Sequence, residues 1–434
     1  MQDIDLFRMF AGLGLLLVSA HLVGRLFSRL RQPVVIGEIV GGLLLGPTVL
    51  GAAAPGVTGW LFPPGGPAGA ATGVVYQFGL LLLMFLAGTQ MRTMLDVREL
   101  RPVVVISVTG IVIPFLLGLG FAWVTNPASI IGRADSQPAL TLVIAIAIAV
   151  TSIPVISRIM LDLGILQTSF ARIVLAVAVL EDVVLNVVIA IALGLAQHGK
   201  PVVFGLQALL GIDGQAGAIA YHAVTPVLFF VLAFLCTRWL RGPSGRPLVQ
   251  GMAQGMALLL GMSALCVFLG VVPIFGAFVV GLSSAPTEDG TERPPVAAIR
   301  KFATAFFIPI YFAVIGLKLD LVHHLDALFT LCFIGFACVI KAASVYMGAR
   351  IAGSPPPRSA ALAAALNARG GPGIVLAGIA LDAGIVNATF FTTLLLTAVV
   401  TSLLAGSWLE AAVTRSVLPR DETTVPVPAR GKDS

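Results

Sequence analysis

The sequence predicts an all-helical protein that crosses a membrane many times. Of its 434 residues, 58% are hydrophobic and only 11% are charged, and the mean hydropathy is +1.02. Soluble domains carry about 25% charged residues, and apolar runs of about 18 or more residues are typical of transmembrane helices. We therefore expect a polytopic membrane protein whose surroundings are the lipid bilayer.

Thirteen apolar runs are candidate spans. They lie near residues 5–28, 33–50, 72–92, 100–125, 138–163, 168–198, 218–241, 248–269, 271–284, 299–319, 324–352, 358–383 and 388–414. The runs follow one another with short loops, which predicts one membrane domain over 1–414 and a short cytoplasmic tail over 415–434.

The distribution of basic residues predicts the orientation of the chain. Most lie in the loops after odd-numbered spans, and the opposite side holds only Arg8, Arg133, Lys200 and Lys318. The positive-inside rule then places the N-terminus outside and the C-terminus in the cytoplasm, in the cell (plasma) membrane. The net charge of +6 is thereby explained by topology, and we expect no nucleic acid partner. The four cysteines lie in apolar runs without metal-ligand spacing, so no cofactor is expected.

Two similar halves are visible in the sequence. LDLGILQTSF at 161–170 recurs as LDAGIVNATF at 381–390, and weaker echoes relate Gly37 to Gly276 and Gly88 to Gly316. Each pair is separated by seven predicted spans, so the two copies should cross the membrane in opposite directions. Inverted repeats of this kind are typical of secondary transporters, whose binding site lies near the midplane between the copies.

Spans five and twelve should be interrupted at matching places. Span five contains Thr151 and Ser152 just before Pro154, and span twelve contains Asn367 and Arg369 followed by Gly-Gly-Pro-Gly. Proline removes a backbone donor and clashes with the preceding turn, while neighbouring hydroxyls can satisfy freed backbone groups. Paired interruptions in corresponding spans are a sequence indicator of a transporter's ion site.

The most unusual charges are in the middle of apolar spans. Glu181 and Asp182 adjoin in span six, where one carboxylate costs roughly 2.5–3.5 kcal/mol to insert. Asp182 and Asn186 share a helix face, whereas Glu181 points about 100° away. Lys341 in span eleven is the natural counter-charge, and a purely structural salt bridge would leave the second carboxylate unexplained. Arg369 could brace span twelve or bias the field at the site.

In this order, the features resemble the monovalent cation/proton antiporter superfamily, in the branch of bacterial sodium/proton exchangers and potassium-efflux antiporters. The matching elements are GEIVGGLLLGP at 37–47, the Thr151-Ser152 interruption, the acidic pair, the Lys341 span and NARGGPGIVLAGIAL at 367–381. Together they cover the chain from about residue 33 to 409.

The resemblance implies the sodium/proton antiporter fold, an elevator-type exchanger that forms a homodimer. Spans at about 5–92 and 248–319 would form a dimerising scaffold, and spans at about 100–198 and 324–414 a moving core. By the family pattern, Asp182 is the ligand of the transported Na⁺ or K⁺, Glu181 pairs with Lys341, and Thr151 with Ser152 completes the site. Asn186, Asn367 and Arg369 would support it.

The chain departs from the family pattern in its acidic pair. Electrogenic members show Asp-Asp, electroneutral members Asn-Asp and the potassium-efflux group Gln-Asp, whereas this chain has Glu-Asp. The charge favours electrogenic exchange, and the ion and the stoichiometry stay open. Alternatives are an organic-anion transporter of related fold and an ion channel. The sequence has none of the hydrolase or metalloenzyme motifs sought, so we do not expect an enzyme.

Overall fold

The computed structural model describes residues 2–30, 34–63, 65–90, 100–125, 128–166, 168–196, 204–212, 251–284 and 293–418, and scattered residues from 214 to 232. Within these residues the regular structure is helical, and only one isolated bridge, between Ile131 and Val386, has β geometry. Eight of the described helices are long and apolar enough to cross a membrane. The prediction of an all-helical polytopic protein is therefore confirmed.

The described residues of the N-terminal half form seven principal helices. They are α1 (Asp3–Arg29), α2 (Val34–Leu45), α3 (Gly66–Gln90), α4 (Leu100–Thr125), α5 (Gln137–Ala149), α6 (Ile153–Asp162) and α7 (Ser169–Ala196). Two short helices, Leu50–Ala53 and Pro55–Leu61, connect α2 to α3.

The described residues of the C-terminal half form eight principal helices. They are α8 (Met252–Phe268), α9 (Ile274–Ser283), α10 (Pro294–Phe302), α11 (Ile308–Leu317), α12 (Ala327–Ile351), α13 (Pro356–Ala365), α14 (Gly371–Asp382) and α15 (Ala388–Thr414). A single π-helical turn at Ala303–Phe307 joins α10 to α11 into one candidate span. Most of the predicted seventh span (218–241) and most of the predicted tail lie outside the described residues, so the count of thirteen stays a prediction.

Both predicted interruptions are present. Span five divides into α5 and α6 around residues 150–152, and span twelve divides into α13 and α14 around residues 366–370. Pro154 lies in the first turn of α6, where a proline costs no intrahelical hydrogen bond. The first break therefore lies just before the proline. Together the two breaks leave the last carbonyls of α5 and α13 without partners in their own helices.

The two best-matched sequence segments end their helices in the same way. Gly164 after α6 has φ +67°, and Gly384 after α14 has φ +73°, a conformation that glycine adopts without steric cost. The following amides also correspond, because Ile165 donates to the carbonyl of Met160 at 2.9 Å and Ile385 donates to that of Ala380 at 2.8 Å. This shared helix ending agrees with the predicted repeat.

Glycines allow the corresponding helices of both halves to pack backbone against backbone. A Cβ atom added to Gly42 in α2 would collide with the carbonyl of Ala313 in α11. At the equivalent place in the other half, a Cβ on Gly281 in α9 would collide with the carbonyl of Phe85 in α3.

The partner helices contribute a second pair of glycines to the same two contacts. A Cβ on Gly316 in α11 would meet the carbonyl of Ile39, and one on Gly88 in α3 would meet that of Phe278. All four contacts join positions that the predicted repeat makes equivalent. The repeat itself and the opposite membrane direction of its two copies stay predictions.

We expect Gly316→Ala to destabilise the protein by roughly 1–3 kcal/mol, because the new methyl group overlaps backbone that cannot rotate away. The thermal unfolding midpoint in detergent should fall. Gly335→Ala in α12 is the matched control, since a Cβ there meets nothing within 4 Å, and it should leave the midpoint unchanged or raised. An equal decrease in both variants would contradict the packing argument.

Candidate functional site

The two helix breaks contact each other directly. The amide of Ser152 donates to the carbonyl of Ala368 at 2.7 Å, and the hydroxyl of Thr151 donates to the carbonyl of Leu366 at 2.6 Å. Both side chains are fully buried. Each break therefore satisfies backbone groups that the other leaves open, and Thr151 and Ser152 lie at the crossing point, where the sequence predicted the site.

Arg369 braces the end of α5. Its guanidinium donates to the carbonyls of Ala147 at 3.2 Å and Ile148 at 2.9 Å, which belong to the last turn of α5. It also donates to the carbonyl of Ala337 in α12 at 2.7 Å. A helix C-terminus carries partial negative charge, so a buried cation there is stabilised without a carboxylate partner. The guanidinium thus ties the second break to α5 and α12, and the role of Arg369 in the field at the site stays a prediction.

Polar neighbours fix the position of Arg369. The side-chain oxygen of Asn367 accepts from its guanidinium at 2.6 Å, and the hydroxyl of Thr401 in α15 accepts from its backbone amide at 3.1 Å. Asn367 in turn donates to the carbonyl of Cys338 at 3.1 Å. The second break is therefore anchored to both α12 and α15, and Thr401 is a supporting residue that the sequence did not single out.

Lys341 forms the predicted ion pair with Glu181. Its ammonium lies 2.8 Å from Oε1 of Glu181, and both side chains are fully excluded from solvent. The same nitrogen donates to the carbonyl of Gly110 at 2.8 Å and to that of Ala149, at the end of α5, at 2.6 Å. All three ammonium protons have acceptors, so the desolvated charge is fully compensated.

The second carboxylate lies beside this pair. Asp182 is only 4% exposed, although it follows Glu181 on the same helix, α7. The outer oxygen of Glu181, Oε2, is buried and accepts no hydrogen bond from the described residues. Two carboxylates against one ammonium leave acceptor capacity that a proton or a small cation can use.

Gly110 is part of the site, and the sequence did not indicate it. A Cβ at this position of α4 would lie 2.9 Å from Oε1 of Glu181 and 3.8 Å from the nitrogen of Lys341. Only a residue without a side chain lets the backbone of α4 approach the ion pair and supply an acceptor. A lone glycine in an apolar helix carries no pattern that would have revealed this role.

The structure thus brings Glu181, Lys341, Thr151, Ser152, Asn367 and Arg369 together around the two breaks, with Asp182 adjoining. The side chain of Asn186 lies outside the described residues, so its predicted role stays a prediction. No group of three or more histidine, cysteine or acidic side chains suited to a resident metal occurs in the part of the chain described.

Comparison with known proteins identifies the family. The family model described as "Sodium/hydrogen exchanger, transmembrane" matches residues 16–415. The chain belongs to this family, which is a family of transporters. The resemblance inferred from the motifs is confirmed.

Two relatives illustrate the range of sizes in which this domain occurs. Over 398 residues the chain is 27% identical to the Na(+)/H(+) antiporter NhaS4 of Synechocystis, covering 89% of this chain and 92% of the relative. Over 392 residues it is 27% identical to Cation/H(+) antiporter 17 of Arabidopsis thaliana, covering 89% of this chain and 46% of the relative. The chain thus spans about half the length of the plant protein.

The fold of this exchanger-family chain matches a solved structure. The sodium proton antiporter MjNhaP1 of Methanocaldococcus jannaschii, solved at pH 8, superposes with a TM-score of 0.63 over 96% of this chain and 99% of that one. The sequence identity is 16%, so the likeness shows the fold alone. The predicted sodium/proton antiporter fold is confirmed.

We expect Lys341→Gln to destabilise the protein by roughly 3–5 kcal/mol, because it leaves the Glu181 carboxylate buried without its counter-charge. The double variant Glu181→Gln/Lys341→Gln should recover much of that loss, since it removes both charges. Thermal unfolding in detergent measures the cycle, with the exposed Lys301→Gln as the charge-matched control. Additive losses in the two single variants would contradict a coupled pair.

Proposed function

We propose that this chain is a secondary active antiporter that exchanges a monovalent cation, Na⁺ or K⁺, for protons across the cell membrane. The observation that carries the proposal is a buried Glu181–Lys341 ion pair beside the buried Asp182, at the crossing of two broken helices. Membership of the sodium/hydrogen exchanger family supports it, as do the names of relatives described as Na⁺/H⁺, K⁺/H⁺ and cation/H⁺ antiporters.

In the proposed mechanism, Asp182 binds a proton and a cation in turn. A carboxylate in a low-dielectric interior must be neutralised, and either a proton or a cation can do this. The two therefore compete for one site, and that competition couples their movements. Glu181 is held by Lys341, so its main role is to set the charge and position of the pair.

Oxygen atoms around Asp182 would replace the hydration shell of the cation. The hydroxyl of Thr151 uses its proton in the bond to Leu366, which leaves its lone pairs available. Ser152 adjoins it at the break, and the unwound backbone adds carbonyls. Sodium and potassium both accept such ligands, so the choice between them is left to measurement.

Alternating access would come from movement of a core against a scaffold. We assign spans near 5–92 and 248–319 to the scaffold and spans near 100–198 and 324–414 to the core. The division is supported by the contacts, because the glycine-mediated backbone packing joins α2, α3, α9 and α11, whereas the ion-site hydrogen bonds join α4, α5, α7, α12 and α15. We further propose a homodimer, with the N-terminus outside and the C-terminus in the cytoplasm.

We expect Asp182→Asn to abolish cation-dependent proton movement in proteoliposomes that carry a proton-sensitive dye, because the amide can neither ionise nor exchange a proton. Asp135→Asn is the matched control, since Asp135 is exposed in a loop with φ +46°, a conformation that asparagine tolerates. Full exchange activity in Asp182→Asn would contradict the assignment of the site.

We expect exchange to respond to an imposed membrane voltage, because carboxylates occupy both positions of the acidic pair. The measurement titrates Na⁺, K⁺ and Li⁺ at fixed pH, with and without the voltage, in the same proteoliposomes. The cation that drives proton movement at the lowest concentration is the transported ion. A rate that ignores the voltage would show electroneutral exchange, and an absence of proton coupling with every cation would contradict antiport itself.

A further inference from the structure

A cavity with several polar side chains in a mainly apolar lining lies at the end of the bundle that carries the N-terminus, away from the ion site. It has a volume of about 430 Å³ and lies between α1, α3, α11 and the short helix Pro55–Leu61. Its polar lining comes from Arg8, Thr58, Thr72, Tyr76 and Lys318, and none of the lining residues that the structure describes is acidic. The ion-exchange mechanism makes no use of this cavity.

Two cations reach the cavity, and aromatic rings position both. The guanidinium of Arg8 lies 5.1 Å from the centre of the Trp60 ring, and the ammonium of Lys318 lies 4.8 Å from that of Tyr76. Cation–π contacts hold a charge in place without consuming its hydrogen-bond donors. The nearest carboxylate to Arg8 is Asp5 at 3.9 Å, the outer limit of an ion pair.

Two polar atoms of the lining have unused hydrogen-bonding capacity. Nε of Arg8 and Oγ1 of Thr58 are both buried, and neither has a hydrogen-bond partner among the described residues. Buried donors are rarely left unsatisfied, because each costs about 1–3 kcal/mol. Two cations and an unpartnered hydroxyl, with no acidic residue in the described lining, suit an oxyanion ligand. Arginine and lysine are both common ligands of phosphate.

The surroundings of the cavity indicate the source of that phosphate. Phe7 and Phe10 on α1 are 60% and 65% exposed, and the ring of Phe7 packs 6.0 Å from that of Trp60. Tryptophan beside basic residues is typical of the headgroup level of a bilayer. An acyl chain can cover the exposed phenylalanines while the headgroup enters the cavity.

We propose that this cavity binds the phosphate group of a phospholipid, with Arg8 and Lys318 as its cationic ligands and Thr58 as a hydroxyl ligand. The lipid joins α1, α3 and α11 at one end of the scaffold. Burial lowers the pKa of Lys318, and the carboxylate of Asp382, outside the cavity lining, acts in the opposite direction. The site is independent of the proposed exchange activity.

The test measures the thermal unfolding midpoint of the purified protein in detergent against added dioctanoyl phosphatidylglycerol. The lipid should raise the midpoint with saturation, because a ligand that binds only the folded state stabilises it. In the double variant Arg8→Gln/Lys318→Gln, the lipid concentration that gives half of the maximal rise should increase at least about tenfold. Arg415→Gln, an exposed arginine near the other terminus, should behave as the unmodified protein.

Two further ligands and one further variant decide between the alternatives. Dioctanoylglycerol, which lacks the phosphate, and inorganic phosphate alone should each give little stabilisation. If dioctanoylglycerol stabilises the protein as much as the phospholipid does, the site is apolar and the proposal is overturned. If inorganic phosphate alone does so, the site binds a free anion and the proposal is likewise overturned. If the double variant does not fold, Thr58→Val removes the hydroxyl without a charge and should weaken the lipid effect. If the double variant becomes monomeric while its lipid response is unchanged, these residues form a subunit interface instead. That result would also overturn the proposal.

Discussion

The structure depends on how two broken helices are stabilised inside an apolar bundle. Each break leaves backbone carbonyls without intrahelical partners, at a depth where no water satisfies them. Lys341 and Arg369 donate to three carbonyls of the last turn of α5, those of Ala149, Ile148 and Ala147. Those buried cations need compensating negative charge, which Glu181 supplies directly to Lys341. The buried charges of Lys341 and Arg369 therefore stabilise the irregular backbone at the end of α5.

Glu181 is the carboxylate that binds Lys341 directly. The ammonium of Lys341 is fully used by Glu181 and two carbonyls, and the guanidinium of Arg369 is used by carbonyls and Asn367. In the proposed transport cycle, Glu181 is the fixed partner of Lys341 and Asp182 is the exchanging ligand.

The two parts of the bundle are held together by different interactions. In the proposed scaffold, glycines allow α2 and α11, and α3 and α9, to pack backbone against backbone, which is the usual way to gain contact where lipid removes the hydrophobic driving force. In the proposed core, buried hydrogen bonds join the helices in addition to apolar packing, and those of Arg369 lie at the second break.

The sequence by itself determined the all-helical membrane fold, the two interruptions and a lysine counter-charge for the acidic pair. Those inferences were possible because charge and proline are costly inside a membrane, so each exception in an apolar run must have a partner. The choice of Glu181 as the partner of Lys341 came from the resemblance to the antiporter superfamily. The tertiary structure alone decided that Arg369 braces α5, that Thr401 anchors the second break and that Gly110 admits the ion pair. These roles depend on which backbone atoms lie nearby in space, and carbonyls and missing side chains leave no pattern in a sequence.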